Sequence, residues 1–175
     1  MVRVSKSVTI NLPREAVYQF WRQLENLPRF MYHLEDVRET AGGRSHWIAK
    51  APAGQKVEWD AEIVEDRPGE SIAWRSVPGS DIRHQGVVQF RAAPADRGTE
   101  VEVALEYEAP GGKVGALIAT LFGEEPTQQV RDDLRRFKQV METGEVVLSD
   151  GSLEGPGQGP LAQRPAQAPA TEVRP

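Results

Sequence analysis

The stretch KVEWDAEIVED, residues 56–66, alternates apolar and polar side chains almost without fault. Val57, Trp59, Ala61 and Ile63 form one row, and Glu58, Asp60, Glu62 and Val64 the other. A strand turns successive side chains to opposite faces, so this one has a dry face and a wet one. The pattern recurs along 99–108, where Val101, Val103, Leu105 and Tyr107 alternate with glutamates. It recurs along 2–12, with Val2, Val4, Val8, Ile10 and Leu12 on one row and Lys6 as that row's single charge. Further strands are predicted near 34–40, 44–50, 55–65, 70–77 and 83–92. Gly42-Gly43, Pro52 to Gly54, Pro68-Gly69, Pro78-Gly79 and Asp96-Arg97-Gly98 punctuate them. So many half-dry strands in succession specify an antiparallel meander with one face covered.

The covering elements are helical. After Pro13, the residues Ala16, Val17, Phe20, Trp21 and Leu24 recur at helical spacing, and Asn26 is placed to cap a second short helix through Leu27 to Tyr32. Beyond Pro110-Gly111-Gly112 the period is helical again: Val114, Leu117, Ile118, Leu121 and Phe122, then Val130, Leu134, Phe137 and Met141. Gly123 and Pro126 are expected to divide this long helix, with 113–122 as a lid, and Gly144 to stop it. Arg131, Arg135 and Lys138, with Asp132 and Asp133, are assigned to its solvated side.

Turn positions suggest the strand pairings. A turn centred on Ala53 sets Trp47 opposite Trp59. A turn between Arg67 and Pro68 sets Ile63 opposite Ile72, Ala61 opposite Trp74 and Trp59 opposite Ser76. A turn near Gly79-Ser80 sets Trp74 opposite Gly86 and Ser76 opposite His84. On this arrangement Trp47, Trp59 and Trp74 share one face on neighbouring strands, with Phe90 and Tyr107 further round. Aromatic side chains on an inner row most often build core. Three indoles, however, need partners for three N–H donors, and Gly86 leaves space beside Trp74.

Composition narrows the classes. The chain is 39% hydrophobic and 27% charged, with a formal net charge of -5 and no local run of lysine and arginine, which argues against a nucleic-acid surface. It has no cysteine, which excludes disulfides and thiol chemistry and is compatible with a cytoplasmic location. Neither a signal peptide nor a membrane span is read from it. Residues 149–175 hold five prolines and four glycines, with Leu153, Leu161 and Val173 as their only large apolar side chains. They are expected to be a disordered tail, leaving one folded domain over 1–148. The sequence carries no signal of oligomeric state.

The segments VTINLPREAVYQFWRQLENLPRFM, WDAEIVEDRPGESIAWRS, GVVQFRAAPADRGTEVEVALEYEAPGG and DLRRFKQVMETGEV carry a resemblance. Together they resemble the START-like (SRPBCC) superfamily, in particular its bacterial polyketide cyclase/dehydrase branch, which is related to the coenzyme-Q-binding proteins. The resemblance implies an α+β helix-grip fold. A curved antiparallel sheet of six to seven strands would wrap around a long C-terminal helix, with two short helices after the first strand. It also implies a cavity between sheet and helix for a hydrophobic ligand such as a lipid, quinone or polyketide.

No catalytic constellation stands out beside this. The acids Glu58, Asp60 and Glu62 fall on the wet row, and His33, His46 and His84 lack ligand spacing, so no metal is expected. PGGKVG lacks the residues of a phosphate loop, there is no Gly-x-Ser-x-Gly elbow, and no cofactor is called for. Inner-row polar groups are Ser45, Ser76, His84, Tyr107 and Lys6. Of these, Ser76, His84 and Tyr107 are the candidates for proton transfer if the chain is an enzyme, as cyclases resembling this fold are, whereas Arg75 falls on the outer row. The expected ligand-binding residues are Trp47, Trp59, Trp74, Phe90, Tyr107, Leu117 and Leu121. Binding of a hydrophobic or aromatic small molecule is the leading reading. The alternatives are a polyketide cyclase/dehydratase and an interaction protein without ligand. Lys6 is expected to pair at the sheet edge.

Overall fold

Each alternating segment forms a strand in the computed structural model, which describes residues 2–80, 82–108 and 125–144. The strands are β1 (Val2–Ile10), β2 (Leu34–Glu39), β3 (Arg44–Lys50), β4 (Lys56–Arg67), β5 (Ser71–Ser76), β6 (Arg83–Ala92) and β7 (Thr99–Glu108). They form one open, curved antiparallel sheet in the order β1-β7-β6-β5-β4-β3-β2. The meander from β2 to β7 runs between neighbours, and β1 closes on β7 at the far edge. Helix α1 (Arg14–Arg22) and a 3-10 turn (Leu24–Arg29) follow β1, and helix α2 (Pro126–Thr143) crosses it. This is the helix-grip arrangement. The lid segment 113–122, with Leu117 and Leu121, lies outside the described residues, as does the tail 149–175.

Pro28 inside the second element leaves a residue without a backbone donor, and the segment tightens into a 3-10 turn instead of an α-helix. Asn26 does not cap it. Its side-chain amide donates back to the Phe20 carbonyl near the end of α1, at 3.0 Å. On α1 the buried residues are Val17, Tyr18 and Trp21, while Ala16 is exposed. Pro126 opens α2 at a position where a helix has no use for the proline N–H, and Gly144 ends it. The apolar face of α2 carries Val130, Leu134, Phe137 and Val140. Lys6 is half-buried between Val4 and Val8 and makes no ion pair among the described residues, so the expected edge pair is not formed.

The expected registers hold on both sides of β4–β5 and fail within it. Trp47 pairs with Trp59 and Trp74 with Gly86, as the turns imply. Between β4 and β5, however, Ile63 pairs with Trp74 and Ala61 with Ser76. The loop is longer than expected, because Arg67 pairs with Ser71 around Pro68, Gly69 and Glu70. That alone would turn β4 inside out, and a bulge between Ile63 and Glu65 restores the faces. The bulge leaves Val64 51% exposed and brings Asp66 beneath α1. There Asp66 accepts hydrogen bonds from the Tyr18 hydroxyl and from Arg22 Nε, at 2.5 and 2.8 Å. Arg22 also pairs with Glu39 of β2, so one bulge fastens α1 across the concave side of the sheet.

Two aromatic clusters occupy the concave side. In the first, Phe137 of α2 meets Trp21 of α1 at 5.1 Å and Phe30 at 4.8 Å between ring centroids. All three are fully buried. The second lies on the sheet itself.

Candidate ligand site

One inward row crosses the middle of the sheet: Ser45 on β3, Ala61 on β4, Ser76 on β5, His84 on β6 and Tyr107 on β7. Ser45 pairs with Ala61, Ala61 with Ser76, and His84 with Tyr107. Ser76 and His84 are linked by the His84 backbone N–H, which donates to Ser76 Oγ at 3.1 Å. Trp47 and Trp59 stand one step to one side of this row, and Trp74 one step to the other. The indoles lean together across it. Trp47 and Trp59 stack at 5.7 Å, and Trp47 and Trp74 at 6.3 Å, with interplanar angles of 27° and 21°. The residue between them is Ala61, whose methyl group leaves the room a larger side chain would take. The His84 ring lies 6.1 Å from Trp47, 6.1 Å from Trp59 and 6.4 Å from Trp74.

The space expected beside Gly86 is not a void. A Cβ there would lie 2.4 Å from the Trp74 ring and 2.8 Å from Leu105, so the indole already fills it. Glycine at 86 is what lets Trp74 lie flat on β6. Phe90 stands three inward positions along β6 from His84, edge-on to Tyr18 at 5.9 Å. It belongs to the core under α1 and not to the indole cluster. Trp47, Trp59, Trp74, His84, Ser76 and Tyr107 come together; Phe90 does not join them.

Ser76, His84 and Tyr107 line a cleft of about 210 Å3 where β5 and β6 part, rimmed by Arg75, Arg83, Gln85, Glu106 and Glu108. The rim arginines are paired, Arg75 with Glu62 of β4 at 2.9 Å and Arg83 with Glu108 at 3.4 Å. The cleft alone is smaller than the roughly 300–1,000 Å3 of an ordinary ligand pocket. Of the residues in contact with the indoles, it is lined by His84. A larger hollow of about 320 Å3 lies on the convex face, over Ala73, Val87 and Ala104. Trp74 and Gly86 of the inner face also contribute to its lining.

The cluster offers hydrogen-bond donors and no charge. Burial holds His84 down to about 4, so its ring is neutral near pH 7. Burial also raises the Tyr107 phenol, which stays protonated. The Trp47 N–H donates to Ser45 Oγ at 2.8 Å. The N–H groups of Trp59 and Trp74 are buried and meet no acceptor among the described residues. No group of three or more His, Asp or Glu suited to a metal ion occurs among the described residues. No helix among them is long and apolar enough to cross a membrane.

Sequence reasoning passed over a second polar group. Asp133, placed above on the solvated side of α2, is 4% exposed. It lies three residues after Val130 and four before Phe137, so the helical period itself puts it on the buried face. Arg136 pairs with it, donates to the Phe30 carbonyl and covers the Tyr32 ring at 4.2 Å. His33 Nδ1 is 3.9 Å from the carboxylate. Burial pushes Asp133 up to about 7 against the pull of Arg136. It pushes His33 down to about 3, with His84 and Arg136 adding to the effect.

These groups set a pH dependence whose sign follows directly. A lowered histidine contributes stability that is complete above 6.5 and lost as pH falls toward the folded values of about 3 and 4. The raised Asp133 contributes stability that is complete below 3.8 and lost as pH rises through about 7. Around pH 5 two histidines oppose one aspartate, so stability rises with pH by roughly one proton's worth from these groups. His84→Gln is expected to remove about one proton from that slope, read by urea unfolding at several values between pH 4.5 and 6. An unaltered slope would mean that His84 takes up its proton in the folded chain.

The comparisons agree with this architecture. Residues 10–135 match the family described as polyketide cyclase / dehydrase and lipid transport, and the chain belongs to that family. An uncharacterised 17.2 kDa protein of Streptomyces lincolnensis, from the melC2-rnhH intergenic region, is 30% identical over 81% of this chain and 91% of its own length. The crystal structure of DR_A0006 from Deinococcus radiodurans is 43% identical and superposes with a TM-score of 0.68, covering 82% of this chain and 99% of that one. TTHA0849 from Thermus thermophilus is 29% identical, with a TM-score of 0.61 over 80% and 97% of the two chains. The START-like resemblance read from the sequence is borne out.

Proposed function

We propose that this chain binds a neutral hydrophobic or aromatic small molecule on the concave face of its sheet, against Trp47, Trp59 and Trp74, with His84 and Tyr107 at the polar end. The observation that carries this is the indole cluster around a neutral, buried His84. Flat aromatic walls with a few uncharged polar groups suit an apolar molecule better than an ionic one. Membership of a family that includes lipid transport supports it. Leu117 and Leu121 remain expected contacts from outside the described residues.

Tryptophan emission tests the reading. Titration with a panel of quinones, polycyclic aromatics and fatty acids is expected to quench the wild type, and Trp59→Ala is expected to lose much of the response. Silence across the whole panel would refute it.

A second reading, proton transfer on a bound poly-ketone, is favoured by the convergence of Ser76, His84 and Tyr107 on one cleft. Its test is hydrogen–deuterium exchange at the α-carbon of a bound diketone, followed by mass. Exchange faster than in buffer and slower again in His84→Gln would support catalysis. Exchange at the buffer rate would leave a binding protein.

A further inference from the structure

Resting on that reading, we infer that the ligand presents a neutral hydrogen-bond acceptor, a carbonyl-type oxygen, to the indole N–H groups of Trp59 and Trp74. Both side chains are buried, 6% and 2% exposed, and neither N–H has a partner among the described residues. A buried donor left unpaired is costly, and native proteins rarely leave one without a reason. The same cluster shows a finished case, since the Trp47 N–H is taken up by Ser45 Oγ at 2.8 Å. The two open donors stand on adjacent strands, and both rings lie against Trp47 and His84. A hydrocarbon chain would leave both unpaired. A carbonyl oxygen is a neutral acceptor for such an N–H, and a ligand with two carbonyls can offer one to each.

The acceptor is neutral because the cluster, among the described residues, holds no cation to meet a carboxylate. The two arginines on the rim of the cleft, Arg75 and Arg83, are engaged with Glu62 and Glu108. Trp21 also has an N–H without a partner among the described residues, but its ring is packed between Phe30 and Phe137 at 5.2 and 5.1 Å in the α1–α2 core, which leaves no place for a ligand.

A matched pair of probes tests this: 2-methyl-1,4-naphthoquinone, which has carbonyl oxygens, and 2-methylnaphthalene, which has none. Calorimetric titration of the full chain is expected to show the quinone binding about tenfold tighter, the scale of one or two neutral hydrogen bonds. In Trp59→Phe and in Trp74→Phe, which keep an aromatic ring and lose the N–H, the quinone-to-hydrocarbon ratio is expected to fall about three- to tenfold. Circular dichroism confirms that each variant is folded. Equal affinity for the two probes in the wild type, or a ratio that survives both substitutions, overturns the acceptor and leaves the binding function standing. Binding of neither probe overturns both.

Discussion

Cutting Phe137 back to alanine is expected to cost about 3–5 kcal/mol of stability, the loss typical of a large aromatic removed from a packed core. Phe137 is fully buried at the centre of the first aromatic cluster. Its ring touches Trp21 and Phe30, with Phe20 beside them at 6.0 Å, so one side chain ties α2 to α1 and to the 3-10 turn. Equilibrium unfolding in urea checks it. A loss below about 2 kcal/mol would show that α2 is held by its polar contacts, chiefly Arg136 on Phe30 and Asp133, and not by the aromatic core.

Gly98→Ala is expected to be comparably damaging, at about 2–4 kcal/mol. Gly98 has φ +100, a backbone conformation that side chains resist. A Cβ there would also stand 2.1 Å from the Ile10 carbonyl oxygen and 2.8 Å from the Asn11 Cα. Those are backbone atoms at the end of β1, and they cannot swing aside. The turn between β6 and β7 is tucked under this end, where buried Thr99 donates to the Leu12 carbonyl at 2.7 Å. Relief therefore requires prising β1 away from β7. Gly79 is the control: its φ is +87, yet a Cβ there meets nothing within 4 Å. Gly79→Ala is expected to cost no more than about 1 kcal/mol. Equal losses at the two positions would assign the effect to backbone conformation alone.

The strands were legible in the sequence because their alternation records which face is dry, and the order of the meander followed from the short turns. Parity survived even where the register was wrong. The pairing of β4 with β5 depends on a three-residue loop and on a bulge at Val64, two offsets that leave a net slip of two residues and so keep the faces. No pattern of side chains reveals either one, since Val64 reads as an ordinary outer-row residue. The trio Trp47, Trp59 and Trp74 was legible for the same reason. What makes it a cluster is Ala61 between the indoles and Gly86 beneath one of them, and small residues leave little trace in a hydropathy pattern. Asp133 was legible in principle, because its spacing from Val130 and Phe137 places it on the buried face of α2. Its charge argued for the opposite side. His33 gave no sign, being far from Asp133 in the chain and joined to it only by the fold.

The indole cluster is either a place for a ligand or a wall of the core. Native mass spectrometry of the full chain, before and after incubation with the quinone and fatty-acid panel, tests that most directly. The predicted result is a one-to-one complex with an apolar molecule, its population reduced in Trp59→Ala while the variant remains folded. The bare chain mass under every condition, together with a full core-sized loss of about 3–5 kcal/mol on Trp59→Ala, would contradict it and make the second aromatic cluster core like the first.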